Sequence, residues 1–95
     1  MFPFIEKNIL ICGKNRIVKR IFKKELDNSL LNWHIDKEDR YIKIINCKDW
    51  HMQFENKIPF PLIKDQIIFI KKGRWHRIIN RKKGNLDLLV LKEIE

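Results

Sequence analysis

Trp50-His51-Met52-Gln53-Phe54-Glu55 sets three apolar residues, Trp50, Met52 and Phe54, in strict alternation with three polar ones. A period of two over six residues puts one side of an extended chain in a core and the other outside, which a helix cannot do. The same rhythm runs through Tyr41-Ile42-Lys43-Ile44-Ile45, where Ile42 and Ile44 share a face. Gln66-Ile67-Ile68-Phe69-Ile70 is rich in β-branched residues, and an apolar strand is expected from Leu86 to Ile94.

Breakers separate these runs at short intervals: Gly13, Asp27-Asn28-Ser29, Asn46-Cys47-Lys48-Asp49, Asn56, Pro59, Pro61, Gly73 and Lys83-Gly84-Asn85. Many short strands between turn signals predict an all-β sandwich or barrel. The stretch from Asn15 to Leu30 reads two ways. Ile17, Val18, Ile21, Phe22 and Leu26 recur at helical spacing, while Ile17, Lys19, Ile21 and Lys23 alternate as in a strand. The all-β pattern around it favours the strand.

The 95 residues, 44% of them hydrophobic, suffice for one modest core, so a single domain over 1–95 is expected. No apolar run is long enough to span a bilayer as a helix. The N-terminal stretch has Glu6 and Lys7 inside it and lacks a basic leader, which reads against a secretory signal and for a cytoplasmic location. Cys12 and Cys47 form no CxxC pair and are expected as reduced, partly buried thiols. A formal net charge of +9 raises nucleic acid as a partner. The cations are scattered, however, and the chain is rich in Lys, Ile and Asn with no Ala or Thr, as an A/T-rich coding bias produces. Nucleic-acid binding is therefore the weaker reading. Ser29, the one serine, sits in a turn without a GxSxG context, and no phosphate-binding glycine loop is present.

Two segments bear on chemistry. In Lys71-Lys72-Gly73-Arg74-Trp75-His76-Arg77-Ile78-Ile79-Asn80, the residues Gly73, His76 and Asn80 fall at the offsets of GxxHxxxN. This resembles the second motif of the cupins, with Lys71 where that family has Pro. Trp33-His34-Ile35-Asp36-Lys37-Glu38-Asp39-Arg40 resembles the first cupin motif, HxHxxxE followed by Gly. His34 matches the first His. Asp36 stands at the second His position, Arg40 at the Glu and Cys47 at the Gly. The likeness covers roughly residues 31–91 and is nearest to small single-domain cupins with a WHxD…DR first motif.

The resemblance implies a cupin-type β-barrel (a double-stranded β-helix, or jelly roll), a small-molecule ligand and a homodimer paired edge to edge. It also implies a divalent metal, Fe, Mn, Ni or Zn. His34 and Asp36, read as i and i+2 of a strand, point to one side, and His76 arrives from a distant strand. Two imidazoles and a carboxylate on one face make a facial triad with open positions. Arg40 opposes a dication unless Glu38 or Asp39 intervenes. Asp36 alternatively pairs with Arg40, Arg74 or Arg77.

Arg40 and Arg74 are candidates for holding an anionic ligand group, and Gln53 for reaching the pocket if its face is the interior one. His51 is expected to face solvent, Gly73 to make a turn with positive φ, and Trp33, Trp50 and Trp75 to build core or pocket wall. A metal-free barrel that binds a ligand without catalysis is the main alternative. Oxygenase, isomerase and lyase chemistry all occur on this fold, and the sequence does not choose among them.

Overall fold

The computed structural model describes residues 3–93. Eight strands, β1 (Ile5–Cys12), β2 (Asn15–Phe22), β3 (Arg40–Asn46), β4 (Trp50–Phe54), β5 (Phe60–Pro61), β6 (Ile67–Ile70), β7 (His76–Asn80) and β8 (Leu86–Glu93), are joined by turns and one short 3₁₀ turn, Asn28–Leu30. Ile94, expected at the end of the last strand, lies outside the described residues. A five-stranded antiparallel sheet in the order β1-β2-β8-β3-β6 faces a three-stranded sheet in the order β5-β4-β7. This is the all-β jelly-roll barrel that the alternation and the resemblance predict.

The alternation of β4 points inward with Trp50, Met52 and Phe54, all buried, while His51 and Gln53 stand on the outer face. Val18 and Phe22 of β2, Ile42 and Ile44 of β3, Ile68 and Ile70 of β6, and Leu86, Leu88 and Val90 of β8 complete the core between the sheets. Residues 15–22 are therefore strand, but the strand reading of Asn15–Leu30 does not extend past Phe22: residues 23–27 turn and Asn28–Leu30 form a 3₁₀ turn. Tertiary pairing decides here: β2 is paired on both sides, to β8 along its whole length and to β1 from Asn15 to Ile21 with one irregularity.

Trp50 is fully buried, and its indole N–H donates to the carbonyl of Gly84 at 2.7 Å. Trp33 and Trp75 are not core residues: they are 38% and 43% exposed and flank a shallow cleft with Glu55 and Asn56. Trp75 immediately precedes the buried His76, and both indoles lie outside the regular strands. Cys12 is exposed rather than partly buried, whereas Cys47 is half-buried and its thiol donates to the Leu62 carbonyl at 3.1 Å. Gly73 makes its turn at a φ of +77°, in the region L side chains avoid. Among the described residues no helix is long and apolar enough to cross a membrane.

Candidate metal centre

β7 carries the site into the interior. Its inward residues are His76, Ile78 and Asn80, opposite Phe54, Met52 and Trp50 of β4. His76 and Asn80 are 3% and 2% exposed, so two polar side chains occupy positions that core packing would fill with apolar ones. Each is satisfied in a different way. Asn80 donates to the carbonyls of Lys24 (2.9 Å) and Leu26 (2.8 Å) and accepts from the Lys82 amide, which fixes the loop before the 3₁₀ turn.

His76 pairs with His34. Their backbones exchange two 3.0 Å hydrogen bonds in an isolated antiparallel bridge, and their rings meet edge to face at 4.2 Å between centroids. The strand expected over this first segment does not form: β3 starts only at Arg40. His34 and Asp36 still reach one place, because the bridge fixes His34 and the loop after it is pinned to the turn before β7. The Gly73 amide donates to the Asp36 carbonyl at 3.0 Å, and the Lys72 amide to Asp39 Oδ1 at 2.9 Å. The two segments that carry the cupin resemblance are thus tied to each other by their backbones.

The candidate ligand atoms of His34, Asp36 and His76 all lie within 4.8 Å of one another. Asp36 is 7% exposed. Its Oδ1 lies 3.2 Å from Arg40 Nη1, and its Oδ2 lies 3.4 Å from His76 Nε2. Arg40 also donates twice to Glu38 Oε1, from Nε at 3.0 Å and Nη2 at 2.8 Å. Glu38 is therefore the carboxylate that intervenes beside Arg40, and Asp36 is both candidate ligand and partner of Arg40.

The protonation of the rings decides what the cluster can do. His76 Nδ1 is 2.8 Å from the Arg74 carbonyl and His34 Nδ1 is 3.2 Å from the Asn32 carbonyl. A carbonyl only accepts, so in these bonds Nδ1 carries the hydrogen. Burial pushes the pKa of His76 below its ordinary 6.5. His34 and Arg40 push the same way, against the Arg74 carbonyl and Asp36. A neutral His76 with its proton on Nδ1 presents a lone pair at Nε2.

That lone pair faces Asp36 Oδ2, a buried oxygen with no hydrogen-bond partner. In that state two acceptors face each other, and a cation between them would satisfy both. Two donors about 2.1 Å from a shared ion at the tetrahedral angle stand about 3.4 Å apart, as Zn–N and Zn–O bond lengths require. Backbone carbonyls on the far nitrogens are also how metal-binding imidazoles are oriented. The residues present fit a divalent ion held by His34, Asp36 and His76, with positions left open.

A cavity of about 110 Å³ opens beside the cluster, lined by all three of these residues together with Arg20, Arg40 and apolar side chains of both sheets. Arg40 is where the sequence placed it, at the cavity. Arg74 and Gln53 are not. The strand begins only at His76, so alternation does not extend back to Arg74, whose guanidinium lies 3.6 Å over the Phe54 ring. Gln53 is on the outer face of β4, where it accepts from Arg77 Nε at 2.9 Å and donates to the Lys57 carbonyl at 3.0 Å. His51 is on that outer face too, though half-buried, with Nδ1 3.8 Å from Asp49. Arg77 stacks on Trp33 at 4.7 Å and does not pair with Asp36. Sequence reasoning missed Arg20 and Asn32; one faces the cavity only through the register of β2, and the other acts through a backbone carbonyl.

No family model matches this chain. No curated protein matches it either. Solved structures do. A cupin superfamily protein from Desulfitobacterium hafniense superposes with a TM-score of 0.72 at 13% identity, over 97% of this chain and 78% of that one. An RmlC-like cupin family protein with a double-stranded β-helix fold, from Methanocaldococcus jannaschii, gives 0.74 at 13% identity over 99% and 83%. Fe(II) HppE gives 0.76 at 9% identity, over 95% of this chain and 50% of that one. At these identities the likeness is one of fold, and the fold of this chain is the double-stranded β-helix of the cupin and RmlC-like proteins.

Proposed function

We propose that this chain is a small cupin of the WHxD…DR type that binds one divalent metal ion through His34, Asp36 and His76 and a small polar or anionic molecule in the adjoining cavity. The observation that carries this reading is the buried, unpartnered Asp36 Oδ2 set 3.4 Å from the free nitrogen of His76. A bound ion would polarise an oxygen of the small molecule or activate dioxygen, and Fe, Mn, Ni and Zn all suit two imidazoles and a carboxylate. The reaction class stays open between oxygenase, isomerase and lyase chemistry.

The test is the metal content of untagged protein by mass spectrometry, beside a His34→Ala/His76→Ala variant. Near-stoichiometric metal that the variant lacks supports the site. No metal in the wild type, even after reconstitution, would leave a ligand-binding barrel without catalysis as the better account. The homodimer would pair edge to edge through β1, the terminal strand of its sheet, all eight of whose residues are exposed; sedimentation over a range of concentrations reads it.

A further inference from the structure

The rows of side chains across the inner face of the large sheet follow from strand register. Val18, Val90, Ile42 and Ile68 form one row, each directly opposite the next, and all are buried. The next row, on the Arg16 side, reads Arg16, Lys92, Arg40 and Ile70. Three cations thus stand abreast on adjacent strands, with neighbouring Cα atoms about 4.5–5.5 Å apart. Like charges directly opposite each other destabilise a sheet. Arg20, on the same inner face of β2 but on the other side of Val18 from Arg16, adds a fourth cation whose charge acts on Lys92.

The carboxylates nearby are already engaged. Glu6 accepts from Arg20 Nε at 2.8 Å, and Asp36 and Glu38 are held by Arg40. Arg16 and Lys92 make no hydrogen bond or ion pair with the described residues, and Arg16 Nε is buried without an acceptor. Burial lowers the pKa of Lys92, and Arg20 and Arg40 lower it further, against Glu6 and Glu38. The fold therefore concentrates positive charge on the inner face of its large sheet, on both sides of the Val18 row, and leaves Arg16 and Lys92 without a hydrogen bond or ion pair among the described residues. Arg20 and Arg40 line the same cavity as His34, Asp36 and His76.

We infer that this cationic inner face is an oxyanion site, in which Arg16, Lys92 and Arg20 hold the phosphate or carboxylate group of the small molecule whose other end lies at His34, Asp36 and His76. The anion end stands on the cation row alone; only the placing of the other end rests on the metal reading above. Guanidinium groups match the oxygens of phosphate and carboxylate in geometry as well as charge. Arg16 and Arg40 are two strand spacings apart, roughly 10 Å, which suits a compact acid or phosphoester. A dication at the triad would add to the positive field and favour a doubly charged group.

The test is calorimetric titration of the untagged protein with inorganic phosphate and, separately, malonate, at fixed ionic strength. Saturable binding of at least one anion is expected, weakened about tenfold or more in Arg16→Met/Lys92→Met, as loss of charge-assisted contacts requires. Lys92→Met alone serves if the double variant does not fold. Lys19→Met/Lys43→Met, on the outer face of the same sheet, removes equal charge and is expected to bind as wild type does. The inference is overturned if neither anion binds, if the inner variants bind like wild type, or if the outer variant loses as much. Anion binding by protein that takes up no metal would remove the metal reading and leave this one standing. Metal uptake without anion binding would do the reverse.

Discussion

Asn28 and Asn80 hold each other by a reciprocal pair of bonds: Asn28 Nδ2 donates to the Asn80 carbonyl and Asn28 Oδ1 accepts from the Asn80 amide, both at 2.8 Å. The side chain of Asn28 thus takes the place of one more strand residue at the end of β7. The Asn80 side chain returns the grip through the carbonyls of Lys24 and Leu26. The Asn of the second motif is therefore a structural clasp between β7 and the 24–28 segment, apart from the His34–Asp36–His76 cluster.

Asn80→Ala removes three side-chain hydrogen bonds at a position 2% exposed and leaves two carbonyls and one amide without those partners. A loss of about 2–4 kcal/mol is expected. Urea unfolding reads it as a lower midpoint at an unchanged slope. A loss below about 0.5 kcal/mol would mean that water replaces the clasp.

Asp36→Asn separates the ion from the fold. The amide keeps an oxygen for Arg40 and offers an N–H toward His76 Nε2, so the facing acceptors become donor and acceptor. Metal-free stability is expected to change by less than about 1 kcal/mol. In the wild type, a metal that binds this site, at a hundredfold excess over its Kd, should add about 2.7 kcal/mol, read as a rise in the unfolding midpoint. In Asp36→Asn that rise should disappear at the same concentration. An equal rise in both proteins would place the ion elsewhere.

The acid limb of stability should depend on Glu6. Burial works to raise its pKa, but the hydrogen bond and charge of Arg20, with Lys92 and Arg16 behind them, outweigh burial and hold the carboxyl below its ordinary 4.5. A depressed folded pKa stabilises the protein above the unfolded value, and that contribution is lost as pH falls through the folded one. Glu6→Gln should therefore lower stability at neutral pH and converge with wild type under acid, below both values. Parallel curves from neutral to acid pH would show that the pair contributes no proton linkage.

The sequence carried the fold where a strand has one wet and one dry side, as in β4, and the second motif where spacing alone decides it. It did not carry cross-strand register. Arg16 and Lys92 are 76 positions apart, and only the pairing of β2 with β8 sets them opposite. Alternation also misleads beyond the end of a strand. Projected back from His76 it puts Arg74 in the cavity, but the strand begins only at His76 and the guanidinium lies on Phe54. Projected through His34 and Asp36 it gave the right neighbours for the wrong reason, since a single bridge, one backbone hydrogen bond and one bond from a backbone amide to the Asp39 carboxylate hold that loop in place of a strand.

Trp50 is the side chain on which both sheets converge. It is fully buried, packs against Phe22 of the opposite sheet at 5.9 Å between rings, and bonds Gly84 through its indole N–H. Trp50→Phe keeps an aromatic ring but shrinks it and leaves the Gly84 carbonyl without that donor. Cavity and hydrogen-bond costs together predict a loss of about 2–4 kcal/mol. Trp33 and Trp75 are on the surface, so the fluorescence that remains in this variant should be quenched almost completely by iodide, while in wild type a protected fraction persists. A stability loss without loss of the protected fraction would mean that another indole is shielded, and that the cleft between Trp33 and Trp75 is closed in solution.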